Sequence, residues 1–422
     1  MTKAEIASIS AVAEAEVEQQ TPAEKRAAWR AFFAAYLGWV FDYFEVYFLT
    51  IVIVPMALEF AWTPGQVSII LSAQLASIAV GGVIWGYLCD RFGRRWALQL
   101  CILQYCIGTL ARAFTPNFEF MLFFTIFAGI GIGGEYGVGQ TLVTETVGSK
   151  RRGAWSSMLY SGIFIGIVMA AVAGGLIVPV IGWSWSLIVA SLPIILVVFI
   201  RAGTPESKLW EERKRRGEHI VPWSEYRSPA FLRPLLLCYV TATLQLFAYY
   251  GITTLMPTYL VSVAGFSLSK ASWWVFFTGL AGLAGAVAAA VLIDRIGRRA
   301  TLSAFAILGA VGGLLVFSLW SRLESLTGIM VPFFMLYAGF GATASVFGSL
   351  FSEIFPVAQR ATGMSSALQF ARGTTFAAPL LASALYPSIG YPPLIIGAVV
   401  LMVLLSMIAW AFPDTTNAAV DY

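Results

Sequence analysis

Histidine is almost missing from this chain of 422 residues and charge is scarce: there is one histidine, there are four cysteines, and 11% of residues are charged. The lone His219 stands in a polar loop, so no buried histidine relay can be built and a metal centre is not expected. Cys89, Cys101, Cys106 and Cys238 fall in or beside apolar stretches without metal-ligand spacing and read as reduced packing residues. The sequence has no Ser/His/Asp or Cys/His set and no phosphate-cradling loop after a strand, so neither an enzyme nor a cofactor is expected. The first thirty residues lack an apolar h-region, so no cleaved signal peptide is expected. A net charge of +4 does not point to nucleic acid, because the basic residues sit in short segments between apolar runs.

Apolar length is what the chain has instead. With 59% hydrophobic residues and a mean hydropathy of +0.80, it reads as an all-α polytopic membrane protein, since barrels alternate polar and apolar residues and do not run apolar throughout. Twelve spans are expected near 31–53, 67–89, 96–114, 118–146, 154–180, 183–201, 234–261, 270–292, 300–320, 327–351, 362–386 and 391–412. A tail at 1–30, a polar, partly helical linker at 202–233 and a second tail at 413–422 complete the chain. With the N-terminus inside, 22 of the 26 lysines and arginines fall in cytoplasmic segments. Arg112, Lys270 and Arg322 lie outside, and Arg372 falls within a span. That asymmetry predicts both termini in the cytoplasm.

The chain also repeats. Asp90-Arg-Phe-Gly-Arg-Arg95 returns as Asp294-Arg-Ile-Gly-Arg-Arg299, 204 residues on, and the spacing of Glu145 and Arg152 returns in Glu353 and Arg360, 208 residues on. Two echoes at nearly one offset imply two homologous six-helix bundles, 31–201 and 234–412, related in parallel about an axis along the membrane normal.

Four ionisable residues interrupt the spans at depth. Asp42 lies about 11 residues from either end of its apolar run, roughly 16 Å by helical rise and near the middle of a ~30 Å hydrocarbon core. Glu45, at i+3, is expected on the same side of the helix. A charge there costs roughly 3 to more than 10 kcal/mol, so the acids either pin the first helix to a neighbour or form a proton or substrate site. Glu135 follows Gly129, Gly131, Gly133 and Gly134, small residues that let helix backbones approach closely. It serves either a helix–helix hydrogen bond or proton coupling. Arg372 needs anionic company, either a ligand carboxylate gripped through its planar fork or an internal acid, Asp42 or Glu135. Gln369, one turn earlier, is placed to complete such a grip. Gln245, Tyr249, Tyr250, Thr253 and Thr254 offer hydroxyls, rings and an amide at helical spacing to a small polar or aromatic solute.

Gly86-Tyr-Leu-Cys-Asp-Arg-Phe-Gly-Arg-Arg95 resembles the cytoplasmic signature of the major facilitator superfamily, and the resemblance covers essentially the whole chain. The segments Gly129-Ile-Gly-Ile-Gly-Gly-Glu135, Thr204-Pro-Glu-Ser207 and Met256-Pro-Thr-Tyr-Leu260 are similar to those of its sugar-porter and metabolite:proton symporter branches. The acidic first span and the arginine of the eleventh are similar to the aromatic-acid, sialate/lactate and niacin-type proton symporters. Thr125 stands where the branch often has arginine, and Gly137 where it often has proline. The resemblance implies twelve helices around a central cavity. It also implies ion pairs that latch the halves on the cytoplasmic side, drawn from Asp90, Arg91, Arg94, Arg95, Glu145 and Arg152, and from Asp294, Arg295, Arg298, Glu353 and Arg360. It implies a carrier, expected as a monomer in the bacterial inner membrane, that moves a small organic anion such as lactate, pyruvate or an aromatic acid together with protons. In that expectation Arg372 takes the carboxylate and Asp42 or Glu45 the proton. A neutral sugar or polyol carrier, with Arg372 locked in an internal pair, is the alternative; a membrane nutrient sensor is a more distant one.

Overall fold

The computed structural model describes residues 22–414 apart from 148–150, 219–220, 223, 254–255, 257–259, 261–264, 266–267, 323–325 and 376. Lys150, His219, Thr254 and residues 257–259 therefore lie outside the described residues. The described chain is helical, without a strand. Its first half comprises α1 (Pro22–Glu59), α2 (Pro64–Phe92), α3 (Arg94–Arg112), α4 (Phe118–Thr146), α5 (Arg152–Tyr160), α6 (Gly162–Val172), α7 (Val178–Ala190) and α8 (Ile194–Gly203). After the short α9 (Lys208–Arg216) come α10 (Pro229–Thr253), α11 (Leu268–Ile296), α12 (Arg298–Ser318), α13 (Leu326–Ile354), α14 (Arg360–Thr374), α15 (Ala377–Ile389) and α16 (Tyr391–Ile408). Nine helical runs among the described residues are long and apolar enough to cross a membrane. The expected fifth span and the first part of the sixth form one run, 152–190, with a π turn at Ala173–Ile177 and a break at Gly182, whose φ is +78°, and the sixth ends in α8. The break falls where the boundary was expected.

Local signals set the helix ends. Thr63 and Gln66 form a reciprocal capping box ahead of α2. Asn117 caps α4 through Phe120 N–H, and Ser207 caps α9 through Trp210 N–H. The glycine of each Asp-Arg-x-Gly-Arg-Arg turn takes a positive φ, +114° at Gly93 and +90° at Gly297. Only glycine does this without a Cβ penalty, and the turn lets α3 and α12 restart at once.

Packing in the two halves matches. Helix α4 lies against α2 and α3 as α13 lies against α11 and α12. A β-carbon at Gly81 would strike the backbone of Ile130, and one at Gly285 the backbone of Ala338. Gly133 meets Ile78 and Gly341 meets Gly282 in the same way. Helix α14 crosses from the second half to lie on α2 of the first, so the halves touch there backbone to backbone: Gly86 faces Ala361 and Thr362.

Candidate functional site

One end of the molecule carries both Asp-Arg-x-Gly-Arg-Arg turns, and its charges cross between the halves. Asp90 accepts the backbone N–H groups of Ala361 (3.2 Å) and Thr362 (2.8 Å) at the start of α14 and the Thr362 hydroxyl (2.7 Å). Asp294 accepts the N–H groups of Gly153 (3.1 Å) and Ala154 (2.9 Å) at the start of α5. Each carboxylate therefore caps a helix N-terminus of the opposite half, where orphan donors and the helix dipole favour negative charge. Arg94 grips Glu145 through two N–H groups (2.9 and 3.1 Å), and Arg298 grips Glu353 likewise (3.0 and 2.9 Å). Glu145 is also reached by Arg360 (3.1 Å), and Glu353 by Arg152 (3.8 Å). The sequence spacing paired Glu145 with Arg152 and Glu353 with Arg360; the structure exchanges these partners between halves, because α5 and α14 each pack on the other half. Arg94 also donates to the Val357 carbonyl across the boundary at 2.7 Å. Arg91 donates to the Tyr87 hydroxyl and stacks on Phe92, and Arg295 ends α11 in the last turn.

The last arginine of each turn has a partner that the sequence reading missed. Arg95 donates to the Thr204 carbonyl (3.4 Å), and Arg299 to the Phe412 carbonyl (3.5 Å) and to Asp414 (2.7 Å). Thr204-Pro-Glu206 and Phe412-Pro-Asp414 stand 208 residues apart, a third echo that was readable in the sequence. Glu206 accepts the N–H groups of Arg94 and Arg95. Burial raises its carboxyl above the usual range, while the Ser207, Arg95 and Arg94 N–H groups oppose that shift. Trp210 donates its indole N–H to the Asp90 carbonyl at 2.9 Å, so the linker helix α9 is docked on the turn.

The middle of the molecule is built differently. Glu45 does not share a side with Asp42. Its carboxylate accepts from Arg112, from the Thr109 hydroxyl (3.2 Å) and from the Gln74 amide (3.1 Å), all inside the first half. The 60° between i and i+3 is the width of a neighbouring helix here, so Asp42 looks toward the second half while Glu45 looks toward α2 and α3. Arg112, expected outside as a loop charge, is fully buried in the last turn of α3 and supplies the cation. The only signal for it was a single arginine at the end of an apolar run, which topology alone could explain.

Asp42 is fully buried; its closest cation is Arg372 of α14, at 3.9 Å, and neither carboxyl oxygen accepts a hydrogen bond among the described residues. At that separation the contact is Coulombic, not a hydrogen bond. The Arg372 guanidinium lies 4.7 Å over the Tyr43 ring, a cation–π contact, and its Nη1 has no hydrogen-bond partner among the described residues. Gln369 does not extend this grip: its amide donates to the Gly133 carbonyl at 2.9 Å and holds α14 on α4. Glu135 is buried with both oxygens unpartnered among the described residues, in a notch where a β-carbon on Gly38 would overlap its carboxyl.

Beside this cluster, between the halves, lies a cavity of about 730 Å³. Its wall is mostly apolar and carries a cluster of aromatic side chains, among them Tyr43 and Tyr47 of α1, Tyr160, Tyr249, Trp274 and Tyr337. Gln245 and Thr253 also line it, but the Gln245 amide donates to the Phe340 carbonyl (3.2 Å) and the Thr253 hydroxyl to the Tyr249 carbonyl (2.9 Å). Arg372 stands behind Tyr43, so that ring is shared between the cavity and the cation.

Comparison with known proteins agrees with this architecture. The family model described as Major Facilitator Superfamily matches residues 31–290, and that described as Sugar (and other) transporter matches residues 212–420. The niacin transporter NiaP of Acinetobacter baylyi is 30% identical over 64% of this chain and 68% of its own length. The cis,cis-muconate transport protein of the same organism is 27% identical over 81% and 84%. The sialic acid transporter NanX of Escherichia coli is 26% identical over 84% and 86%. Among solved structures, the proton:xylose symporter XylE superposes with a TM-score of 0.79 at 18% identity, over 94% of this chain and 98% of that one. The family model covers more than half of the chain, and the chain belongs to the major facilitator superfamily, as a multi-pass membrane transporter and not an enzyme.

Proposed function

We propose that this transporter carries a small organic anion, an aromatic monocarboxylate by preference, together with a proton across the bacterial inner membrane, with both termini cytoplasmic. The observation that carries the reading is Arg372: a buried guanidinium, held by a ring and a distant carboxylate, with a donor left over. A substrate carboxylate satisfies that fork bidentately, which Asp42 at 3.9 Å does not. The aromatic cluster in the wall suits a planar ring, whereas a polyol would need a partner for every hydroxyl it loses to water. Relatives named for niacin, muconate and benzoate transport support the same class.

Charge balance supplies the coupling. In the empty site Asp42 offsets Arg372. When a substrate carboxylate takes the arginine, Asp42 is left as an uncompensated charge at mid-depth and takes up a proton. Only then can the loaded carrier close and reorient. Moving one monovalent anion with one proton is electroneutral, so each unit of pH difference sustains about tenfold accumulation. The latch end is then the cytoplasmic side, closed in this structure.

The test is uptake into proteoliposomes of purified protein. Benzoate is expected to accumulate when the inside is alkaline, without sodium dependence, and benzamide is expected to compete poorly. Equal competition by the amide, or accumulation driven by sodium at equal pH, would overturn the reading in favour of a neutral or sodium-coupled solute.

A further inference from the structure

Two buried acids stand near Asp42, and the structure treats them in opposite ways. Glu45 has three donors, one of them the cation Arg112, so it is a fixed carboxylate and Arg112 keeps it so. Glu135 has no donor at all for either oxygen among the described residues. A bare carboxylate at that depth costs several kcal/mol or more, and the neutral acid avoids that cost. Its carboxyl lies in the notch at Gly38, and Gly38 and Asp42 are i and i+4 on one face of α1, neighbours about 5–6 Å apart.

We propose that Glu135 is the proton relay that serves Asp42, with Gly38 as the notch that brings its carboxyl there, and that Glu45 takes no part in proton movement. The inference rests on the proton-coupled reading above. When substrate binds Arg372, the Glu135 carboxylic acid gives its proton to the Asp42 carboxylate, and the resulting Glu135 carboxylate takes a proton from the medium. One O–H bond breaks and one forms at each transfer, and the net uptake is one proton per anion. On release the sequence reverses. The other titratable or charged groups facing Glu135 are Cys101, Tyr105 and Cys106 of α3. From α2 the neighbour is Trp85, packed on Gly134, and from α14 it is Gln369 on Gly133; Arg372 faces Asp42.

A relay is needed for net movement but not for exchange, in which the carrier shuttles with its proton in place. The ratio of pH-driven net uptake to counterflow exchange therefore isolates it and is independent of how much protein is folded. For Glu135→Gln the ratio should fall about a hundredfold, the lower end of what a positioned acid contributes. Gly38→Ala removes no acid and should lower the ratio in the same direction by displacing the carboxyl. Glu45→Gln with Arg112→Gln should leave the ratio unchanged. A wild-type ratio in Glu135→Gln, or a collapsed ratio in the Glu45/Arg112 pair, overturns the assignment. If Glu135→Gln neither exchanges nor accumulates, the infrared band of a protonated carboxylic acid decides: its loss relative to wild type supports the relay and its persistence refutes it. Wild-type protein that shows exchange but no pH-driven accumulation would instead refute the proton-coupled reading beneath.

Discussion

The latch end and the centre of this molecule obey opposite rules. At the latch the main charges occur twice: Asp90 and Asp294, Arg94 and Arg298, Glu145 and Glu353, and the tethers Arg95 to Thr204 and Arg299 to Phe412. At the centre nothing does. The positions 208 residues after Asp42 and Glu135 are Tyr250 and Thr343, and the position 208 before Arg372 is Phe164. In the proposed carrier cycle reorientation treats the halves as equals, so its machinery can be duplicated. In the proposed function, binding one anion and one proton needs a single cation beside a single titrating cluster, and a second copy would add an uncompensated charge at depth. The first half holds the acids, the second holds the arginine, and the site is complete only where they meet.

The largest effect should come from breaking the centre. Arg372→Lys keeps the charge but loses the planar fork, and Arg372→Ala leaves Asp42 without its counter-ion. Truncating one member of a buried charged pair typically costs about 2–5 kcal/mol, so benzoate transport should fall at least about thirtyfold in Arg372→Ala and be strongly impaired in Arg372→Lys. Normal initial rates for Arg372→Lys would mean that the cation has no directional role.

At the latch the expected effects are smaller and fall on rate. Asp90→Asn and Asp294→Asn each weaken charge-assisted bonds to a helix start, worth about 1.5–3 kcal/mol before the amide regains part of it. Turnover should drop roughly tenfold, while substrate affinity changes only by the altered competent fraction. Asp90→Asn should be the worse of the two, because Asp90 has three donors and Asp294 two. Binding lost as completely as in Arg372→Ala would show that these aspartates belong to the site and not to the latch.

What could be read in the sequence divides along the same line. The latch was legible because duplication prints it twice, at offsets of 204 and 208. The exchange of partners between Glu145 and Arg152 was not, since sequence spacing says nothing of which half α5 and α14 lean on. At the centre, hydropathy exposes any charge in a span, and so Asp42, Glu45, Glu135 and Arg372 stood out. Their partners were hidden. A helical i, i+3 relation puts Asp42 and Glu45 within 60°, but in a closely packed bundle that angle separates two different neighbours. Arg112 was misread because an arginine at a span end looks topogenic until an acid is found inside its reach. Gln369 was misread because its carbonyl partner, Gly133, belongs to a backbone that only tertiary packing brings near.

The finest test concerns one place where the duplicated latch is unequal. Thr362 gives Asp90 a hydroxyl in addition to its N–H, at 2.7 Å, while the position 208 residues earlier is Ala154, which gives Asp294 an N–H alone. Thr362→Val removes that hydroxyl with little change of shape and should weaken the latch by about 1 kcal/mol, the net worth of one such bond. That shifts the balance of closed and open cytoplasmic ends about fivefold. Ala154→Thr offers Asp294 the missing hydroxyl and should shift the balance the other way by a similar factor. In the double variant the two changes should offset, because both act on one equilibrium. Alkylation of a cysteine introduced on the cytoplasmic side of the gate reads these populations directly. If Thr362→Val leaves the alkylation rate unchanged, the hydroxyl does not hold the gate, and the two copies of the latch are equal in strength despite their different donors.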